Sequence, residues 1–407
     1  MIVKVSGAHW LLPAVFALGV WVALSSTAFY GRYPVSNLAN ASEQLILTGP
    51  ATAAWVTYRL PPFLKTLGEA RPSRSHAWIL TAYWSLLTLG APMAGVGAMM
   101  SATRSFPGGW GSWEVVAVTA AAGLACATVG AAVGCALPRV IGIPLVAVGT
   151  FAWIGLPGAG VKVLPRHLNS AFVGCCGDDQ QPALSMLLGS GILSLVVIAG
   201  CLLLVMSGRS HRKARAATGA ALVAIIAGGF GLGAAAASAV PGDMNLLAVE
   251  PRTTPMTCRS DHAYRMCAWP ENKTGIPQAL DSLRTFDTQV RRAGLPGVSA
   301  ASEDPRDGAT TFATADPRLN PEQRLMDIAN GYVARATSCE GERTRFVSMV
   351  PTAVVALAAG VSPPALSADG LEPADLATAQ VILRRPPADV GSWFRAHTCG
   401  VFATPPW

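Results

Sequence analysis

Charged residues are nearly absent from the first 240 positions of this 407-residue chain. Of the 23 acidic residues, 18 lie in residues 241–407, together with 16 of the 30 basic residues. Charged residues make up 13% of the whole sequence, whereas soluble domains carry about 25%. This distribution predicts a membrane domain over residues 1–240 and a domain of ordinary soluble composition over residues 241–407.

Seven apolar runs in the membrane domain are each close to the ~20 residues that cross a bilayer as a helix. We therefore expect an α-helical polytopic membrane protein with about seven transmembrane helices, the first of them retained rather than cleaved as a signal peptide. We expect the second run to end at Leu60-Pro61-Pro62, because proline lacks an amide donor and clashes with the preceding turn. The runs are 9–29, 44–60, 78–102, 113–137, 140–160, 184–208 and 218–240.

Lysine and arginine in the connecting loops predict the orientation. One set of loops holds ten of them and the opposite set holds four, and cytoplasmic loops carry the excess. The N-terminus is therefore expected in the cytoplasm of a cell (plasma) membrane protein. Seven crossings then place the C-terminal domain outside the cytoplasm.

The nine cysteines are interpreted from this topology. Cysteines outside the cytoplasm usually oxidise, and of the three connectivities open to the four in the C-terminal domain we favour Cys258–Cys267 and Cys339–Cys399. A metal site using Cys258, His262, Cys267, His397 and Cys399 is one alternative, although the spacing of Cys258 and Cys267 is not that of a zinc finger. A reactive thiol is the other. The adjacent Cys175 and Cys176 could bridge, stay reduced or pair elsewhere, and we favour the bridge. Cys126, Cys135 and Cys201 are expected to pack inside helices.

Several classes of function are disfavoured by missing residue types. The middle of the predicted spans carries no Asp, Glu, Lys, Arg or His, which argues against ion-coupled carriers. No Walker loop, zinc-protease motif or diagnostic catalytic spacing is present, so we expect no enzyme activity and no cofactor in this chain. The C-terminal domain has a net charge of −2, which argues against nucleic acid as a partner.

Small residues recur at four-residue spacing in two spans. Gly130 and Gly134 form one such pair, and Gly229 and Gly233 form another. These positions let helix backbones approach closely. We interpret them as packing positions within the bundle, with homodimerisation or a second membrane subunit as the alternative.

The predicted cytoplasmic loop 59–76 combines apolar and basic residues. A short amphipathic helix over residues 62–68 would end at Gly68. It could lie on anionic lipid headgroups, or it could couple the chain to a cytoplasmic partner. Under the second hypothesis the coupling residues are Leu60, Phe63, Leu64, Lys65, Leu67 and Arg71.

The C-terminal domain is predicted to be mainly helical α+β. Strands are expected at 244–249 and 264–269, and helices at about 276–294, 320–337, 350–360, 372–385 and 386–397, several of which begin at prolines. The segment 296–319 is expected to be a loop with at most one short strand, at 310–313.

The six spans over residues 9–208 resemble the ABC type-2 permease class. The likeness lies in a coupling segment after the second span and in the segment 161–183, which occupies the place of an outer re-entrant hairpin. The segments 267-CAWPE-271 and 392-SWFRAHTC-399 resemble a group of uncharacterised actinobacterial transporter-associated membrane proteins. The chain departs from the class in its short N-terminus and its seventh span.

This resemblance implies a membrane-spanning subunit of an ABC transporter complex. ATP would be bound by a separate cytoplasmic ATPase subunit, and the extracytoplasmic domain would bind substrate or an external protein partner. The alternative is a membrane-anchored extracytoplasmic interaction or regulatory module without translocation activity, for example a partner of an extracellular peptidase. The two hypotheses differ in their need for the coupling segment.

Overall fold

The structure is a computed structural model. The chain forms two compact units, Met1–Arg252 and Thr253–Trp407. The N-terminal unit includes Val249–Pro251 because this segment pairs with Gln180–Pro182. For residues 61–69 the helix is described without its side chains. The described ranges are 8–25, 32–69, 89–104, 110–158, 168–172, 175–207, 249–304, 306–307, 311–337, 349–368 and 370–398, with isolated positions between them.

The N-terminal unit is built from helices. In chain order the described ones are α1 (Ala8–Ser25), α2 (Pro34–Ala41), α3 (Leu45–Glu69), α4 (Gly90–Thr103), α5 (Trp110–Ala136), α6 (Arg139–Gly158) and α7 (Leu184–Ser207). Strands β1 (Gln180–Pro182) and β2 (Val249–Pro251) pair antiparallel. Helix α2 was not predicted, since its polar sequence PVSNLANA lies between two apolar runs.

Three described helices are long and apolar enough to cross a membrane. They are Ser112–Ala136, Arg139–Leu156 and Leu184–Val205, and the apolar helix His9–Ser25 is shorter. These helices indicate a membrane-associated chain. Much of the predicted third and seventh spans, at 78–102 and 218–240, lies outside the described residues.

Helix α3 corrects one prediction. It runs without a break from Leu45 to Glu69, so Pro61-Pro62 does not end it and residues 62–68 are not a separate helix. Apolar helices tolerate proline where neighbouring helices and Thr side chains satisfy the freed backbone groups. The turn before these prolines is held against α5, because Thr57 Oγ1 lies 2.8 Å from the Gly130 carbonyl oxygen as well as 2.8 Å from the Ala53 carbonyl oxygen. The carbonyl groups that Pro61 and Pro62 leave without a helical donor are those of Thr57 and Tyr58.

Close packing of α3 against α5 depends on glycine. A Cβ at Gly130 would lie 2.8 Å from the Ala53 Cα atom, a distance that real side chains do not adopt. A Cβ at Gly49 would similarly lie 2.8 Å from Ile154 Cδ1 of α6. These positions let α3 sit directly against its neighbours, as small residues do in membrane helix packing.

The C-terminal unit packs helices against a small mixed sheet. The strands are β3 (Thr257–Asp261), β4 (Tyr264–Ala268), β5 (Ala300–Ser302) and β6 (Thr311–Phe312), in the order β3-β4-β5-β6. The β3–β4 hairpin is antiparallel, and the other two pairings are parallel. The helices are α8 (Ile276–Arg292), α9 (Pro321–Thr337), α10 (Val350–Ala358), α11 (Pro363–Ala368), α12 (Pro373–Leu383) and α13 (Pro387–His397).

An aromatic cluster lies at the centre of this unit. Tyr332 of α9 is fully buried between Phe286 of α8 and Phe394 of α13, with both ring centroids 5.6 Å away. The Tyr332 hydroxyl donates a hydrogen bond to the Pro296 carbonyl oxygen at 2.9 Å. Gly294 ends α8 with φ of +82°, a left-handed conformation that favours glycine. The segment after α8 is thereby turned towards the sheet.

Candidate functional site

The N-terminal unit contains a cavity of about 380 Å³ between α5, α6 and α7. Leu145 and Gly149 are exposed where they border it, so the cavity opens on the outer face of the helices. None of its described lining residues is charged. Its lining residues are Ala122, Ala125, Cys126, Val129, Val133, Leu145, Val146, Gly149, Thr150, Trp153, Ile154, Asn169, Leu193, Ser194 and Val197.

Two polar side chains of the lining direct their donors to backbone oxygens. Thr150 Oγ1 donates to the Val146 carbonyl oxygen at 2.6 Å. Asn169 Nδ2 lies 3.0 Å from the Trp153 carbonyl oxygen and 2.6 Å from that of Ile154. These bonds satisfy carbonyl groups of α6 that would otherwise be costly to bury. The cavity therefore presents a mainly apolar surface to a ligand.

Arginines stacked on aromatic rings mark one end of the helix bundle, which we call the arginine end. The Arg59 guanidinium carbon lies 5.2 Å from the ring centroids of both Trp55 and Tyr58. The Arg139 guanidinium carbon lies 5.3 Å from the Tyr58 ring centroid. Both distances are typical of cation–π contacts.

A polar layer around Cys175 and Cys176 marks the opposite end, which we call the cysteine end. Ser36 Oγ and Asn40 Nδ2 of α2 both donate to the Cys176 carbonyl oxygen, at 2.6 and 3.0 Å. The Asp178 carboxylate accepts the Tyr33 amide at 3.2 Å. The sulfurs of Cys175 and Cys176 lie within bonding distance and are buried. The described part of segment 161–183 is thus a turn and a short strand held against α2.

Leu60 is the one predicted coupling residue whose side chain is described. Leu60 is 1% exposed and packs with Leu11, Val15 and Val56, so its side chain belongs to the bundle core and does not face a partner. A sequence pattern could not show this, because the contacts come from α1. The side chains of Phe63, Leu64, Lys65 and Leu67 lie outside the described residues, as does all of Arg71.

Of the remaining residues singled out from the sequence, some lie in the described ranges and others do not. Gly130 and Gly134 are buried in α5, whereas Gly229 and Gly233 lie outside the described residues. The sulfurs of Cys258 and Cys267 bond across the β3–β4 hairpin at directly paired positions. Cys339 and Cys399 lie outside the description. Cys126 and Cys201 are buried as expected for packing residues, but Cys135 is exposed.

A buried carboxylate organises the C-terminal unit. Glu303 Oε2 accepts the Trp269 amide at 2.6 Å, and Oε1 accepts Asn272 Nδ2 at 2.7 Å. Oε1 also accepts Thr314 Oγ1 at 2.8 Å and the Ala315 amide at 2.7 Å. Burial raises the pKa of Glu303, and these hydrogen bonds oppose the rise. The segment 267-CAWPE-271 thus has a structural explanation, since its backbone is held by Glu303.

A second carboxylate lies beside this cluster. Asp327 Oδ2 accepts the Thr314 amide at 2.6 Å. Burial, together with the negative charge of Glu303, raises the pKa of Asp327 to about 6. Sequence analysis missed Glu303 because it lies in the predicted loop 296–319, and its donors come from two separate parts of the chain, 269–272 and 314–315.

Comparison with known proteins finds one family. Residues 266–400 match the model of a Domain of unknown function (DUF7224). The match begins in β4 and spans the Glu303 cluster and α8 to α13, all within the C-terminal unit. No curated protein and no solved structure matches the chain.

Proposed function

We propose that this chain is a membrane-spanning subunit of an ABC transporter complex that works with a separate ATPase subunit. In this proposal the chain crosses the plasma membrane seven times, with its N-terminus in the cytoplasm and its C-terminal unit outside. The ten-to-four distribution of basic residues between the two sets of loops supports this orientation. The Cys258–Cys267 bond supports it too, because disulfides persist outside the cytoplasm.

The length of α3 is the observation that carries the proposal. Helix α3 continues for ten residues past Arg59, from Leu60 to Glu69, which adds about 15 Å of helix. Because Arg59 and its aromatic neighbours are typical of a membrane interface, residues 61–69 would project beyond it as a continuous helix. We call this segment the α3 arm. It supplies a rigid element for contact with an ATPase.

The cavity supports a role in carrying a substrate. Its apolar lining suits an amphipathic molecule, or an apolar molecule that enters from the lipid. The Glu303 cluster gives the C-terminal unit an ordered core, on which a surface for substrate or an external protein partner could be presented.

The first prediction concerns the α3 arm. Replacing both Phe63 and Leu67 with Asp should release the ATPase, because buried aromatic and aliphatic side chains carry most interface energy. Lys65 and Arg71 would add electrostatic steering. The measurement is native co-purification of the ATPase with the tagged full chain from a mild detergent.

Thr66→Asp is the matched control, since it adds an acid to the same arm at a polar position. It should leave the ATPase bound. Retention of the ATPase by the double variant would contradict the proposal, and so would its absence from the wild-type preparation.

A membrane-anchored extracytoplasmic interaction module is the second candidate. The family match favours it, because that match lies wholly in the C-terminal unit. This candidate predicts that no ATPase co-purifies, while a protein added from outside the cell binds the C-terminal unit.

A further inference from the structure

We infer that the cavity between α5, α6 and α7 holds one acyl chain of an anionic phospholipid whose headgroup binds Arg59 and Arg139. The inference rests on the proposed function only for the placement of these helices in a bilayer. It does not require an ATPase.

The lining of the cavity fits a hydrocarbon chain. Side-chain carbon surrounds most of its volume of about 380 Å³. The donors of Thr150 and Asn169 are directed to backbone oxygens of α6. Among the described lining residues Ser194 carries the one further hydroxyl, so a sugar or a charged group would lose most of its hydrogen bonds to water there. An acyl chain loses none.

The opening of the cavity faces the side from which a lipid would enter. Leu145 is 55% exposed, and Gly149, one turn further along α6, is also exposed. A Cβ added at Gly149 would meet no atom within 4 Å. The opening is therefore wide enough for a side chain, and hence for a methylene chain of similar width.

The two arginines lie at the same depth as each other. A Cβ at Gly142, one turn into α6, would lie 3.3 Å from Thr57 Cγ2 of α3. Arg139 lies one turn before Gly142 in α6, and Arg59 lies two residues after Thr57 in α3. Both guanidinium groups lie near the ring of Tyr58. They form one cationic site on two helices.

Helix geometry joins this site to the cavity. At 100° per residue, Arg139, Val146, Thr150 and Trp153 lie on one stripe of α6. Val146 is about 10 Å along the helix from Arg139, and Trp153 is about 21 Å along it. A chain attached to a headgroup at Arg139 would therefore run through the cavity from Val146 towards Trp153, and its end would pass the bilayer midplane, since one leaflet is about 15 Å deep.

The charge of the site selects the headgroup. A guanidinium stacked on a ring keeps its N–H groups in the plane, where they can bind phosphate oxygens in a bidentate manner. Each basic residue near an anionic membrane surface contributes about 1 kcal/mol, or about fivefold in binding. A zwitterionic lipid offers the same phosphate without the net charge, so it should bind more weakly.

The second prediction uses Trp153 as a probe inside the cavity. The full chain is reconstituted in phosphatidylcholine bilayers containing increasing fractions of phosphatidylglycerol with brominated acyl chains, which quench tryptophan fluorescence on contact. Subtracting the signal of Trp153→Phe isolates Trp153 from the other tryptophans. We expect half-maximal quenching of Trp153 at a lower fraction of brominated phosphatidylglycerol than of brominated phosphatidylcholine.

Three variants separate the two parts of the site. Gly149→Leu fills the opening and should abolish quenching of Trp153 by either lipid. Arg59→Gln combined with Arg139→Gln should raise the half-maximal fraction of brominated phosphatidylglycerol at least fivefold. Arg104→Gln is the charge-matched control, because Arg104 ends α4 towards the cysteine end, beyond the Gly95–Gln44 contact, and it should change nothing.

Two results would overturn the inference. If Gly149→Leu leaves the quenching of Trp153 unchanged, the acyl chain lies outside the cavity. If the double arginine variant retains the preference for phosphatidylglycerol, the headgroup does not bind at the arginine end. Neither result depends on whether an ATPase co-purifies, so the failure of this inference is distinguishable from failure of the proposed function.

Discussion

In the C-terminal unit, the buried carboxylate of Glu303 has a structural role. Glu303 is 3% exposed, and its two oxygens accept hydrogen bonds from Trp269, Asn272, Thr314 and Ala315. Leaving even one such donor unpaired would cost about 1–3 kcal/mol. Sequence analysis placed Trp269 at the end of a predicted strand, but it could not show that Glu303 holds it, because nothing in their spacing connects residues 34 positions apart.

Asp327 gives the third prediction, which concerns pH. Its folded-state pKa of about 6 lies above its ordinary value of 3.8, so the folded state favours the protonated acid. The unfolded chain releases this proton first as the pH rises. Asp327 therefore makes its full contribution to the free energy of unfolding below pH 3.8. This contribution, about 3 kcal/mol, is lost as the pH rises from about 4 to 6.

Asp327→Asn should remove this pH dependence, because the amide stays neutral and its oxygen can still accept the Thr314 amide. The measurement is urea unfolding of the C-terminal unit at a series of pH values, compared with the exposed Asp389→Asn as control. An equal slope in the wild type and Asp327→Asn between pH 4 and 6 would show that Asp327 is not the residue responsible.

Whole elements were predicted well where periodicity and proline signals coincide. The five predicted helices of the C-terminal unit correspond to α8, α9, α10, α12 and α13, with ends that differ by a few residues. The strand β5 was missed, because its three residues, Ala300–Ser302, carry no alternating pattern and are strand-like only through parallel pairing with β4 and β6. The predicted end of α3 at Pro61-Pro62 was wrong, since the helix continues to Glu69.

The fourth prediction tests helix packing with two glycines. Gly130→Ala should destabilise the N-terminal unit by about 1–3 kcal/mol, because the new Cβ would overlap the backbone of Ala53 in α3. Gly149→Ala is the matched control, since its Cβ would meet open space. The measurement is thermal unfolding of the full chain in detergent. Equal melting temperatures for the two variants would contradict the close approach of α3 and α5.

At the scale of the whole molecule, the division into an apolar N-terminal unit and a C-terminal unit of soluble composition was visible in charge distribution alone. The N-terminal unit extends to Arg252 because β2 pairs with β1, a contact between segments about 70 residues apart. The cavity was not predictable, since it forms between α5, α6 and α7 and has no motif. The arginine end left a signal that was not used, because Trp55 and Arg59 are four residues apart on one helix face.

The fifth prediction tests the central proposal, that the α3 arm contacts an ATPase. A photo-reactive phenylalanine analogue is placed at position 63 of the full chain in intact cells, and at the exposed, cavity-bordering position 145 as a control. Illumination should link position 63 to an ATP-binding polypeptide, whereas position 145 should give no such adduct. The absence of a protein adduct at position 63, or the same adduct at both positions, would contradict the proposal.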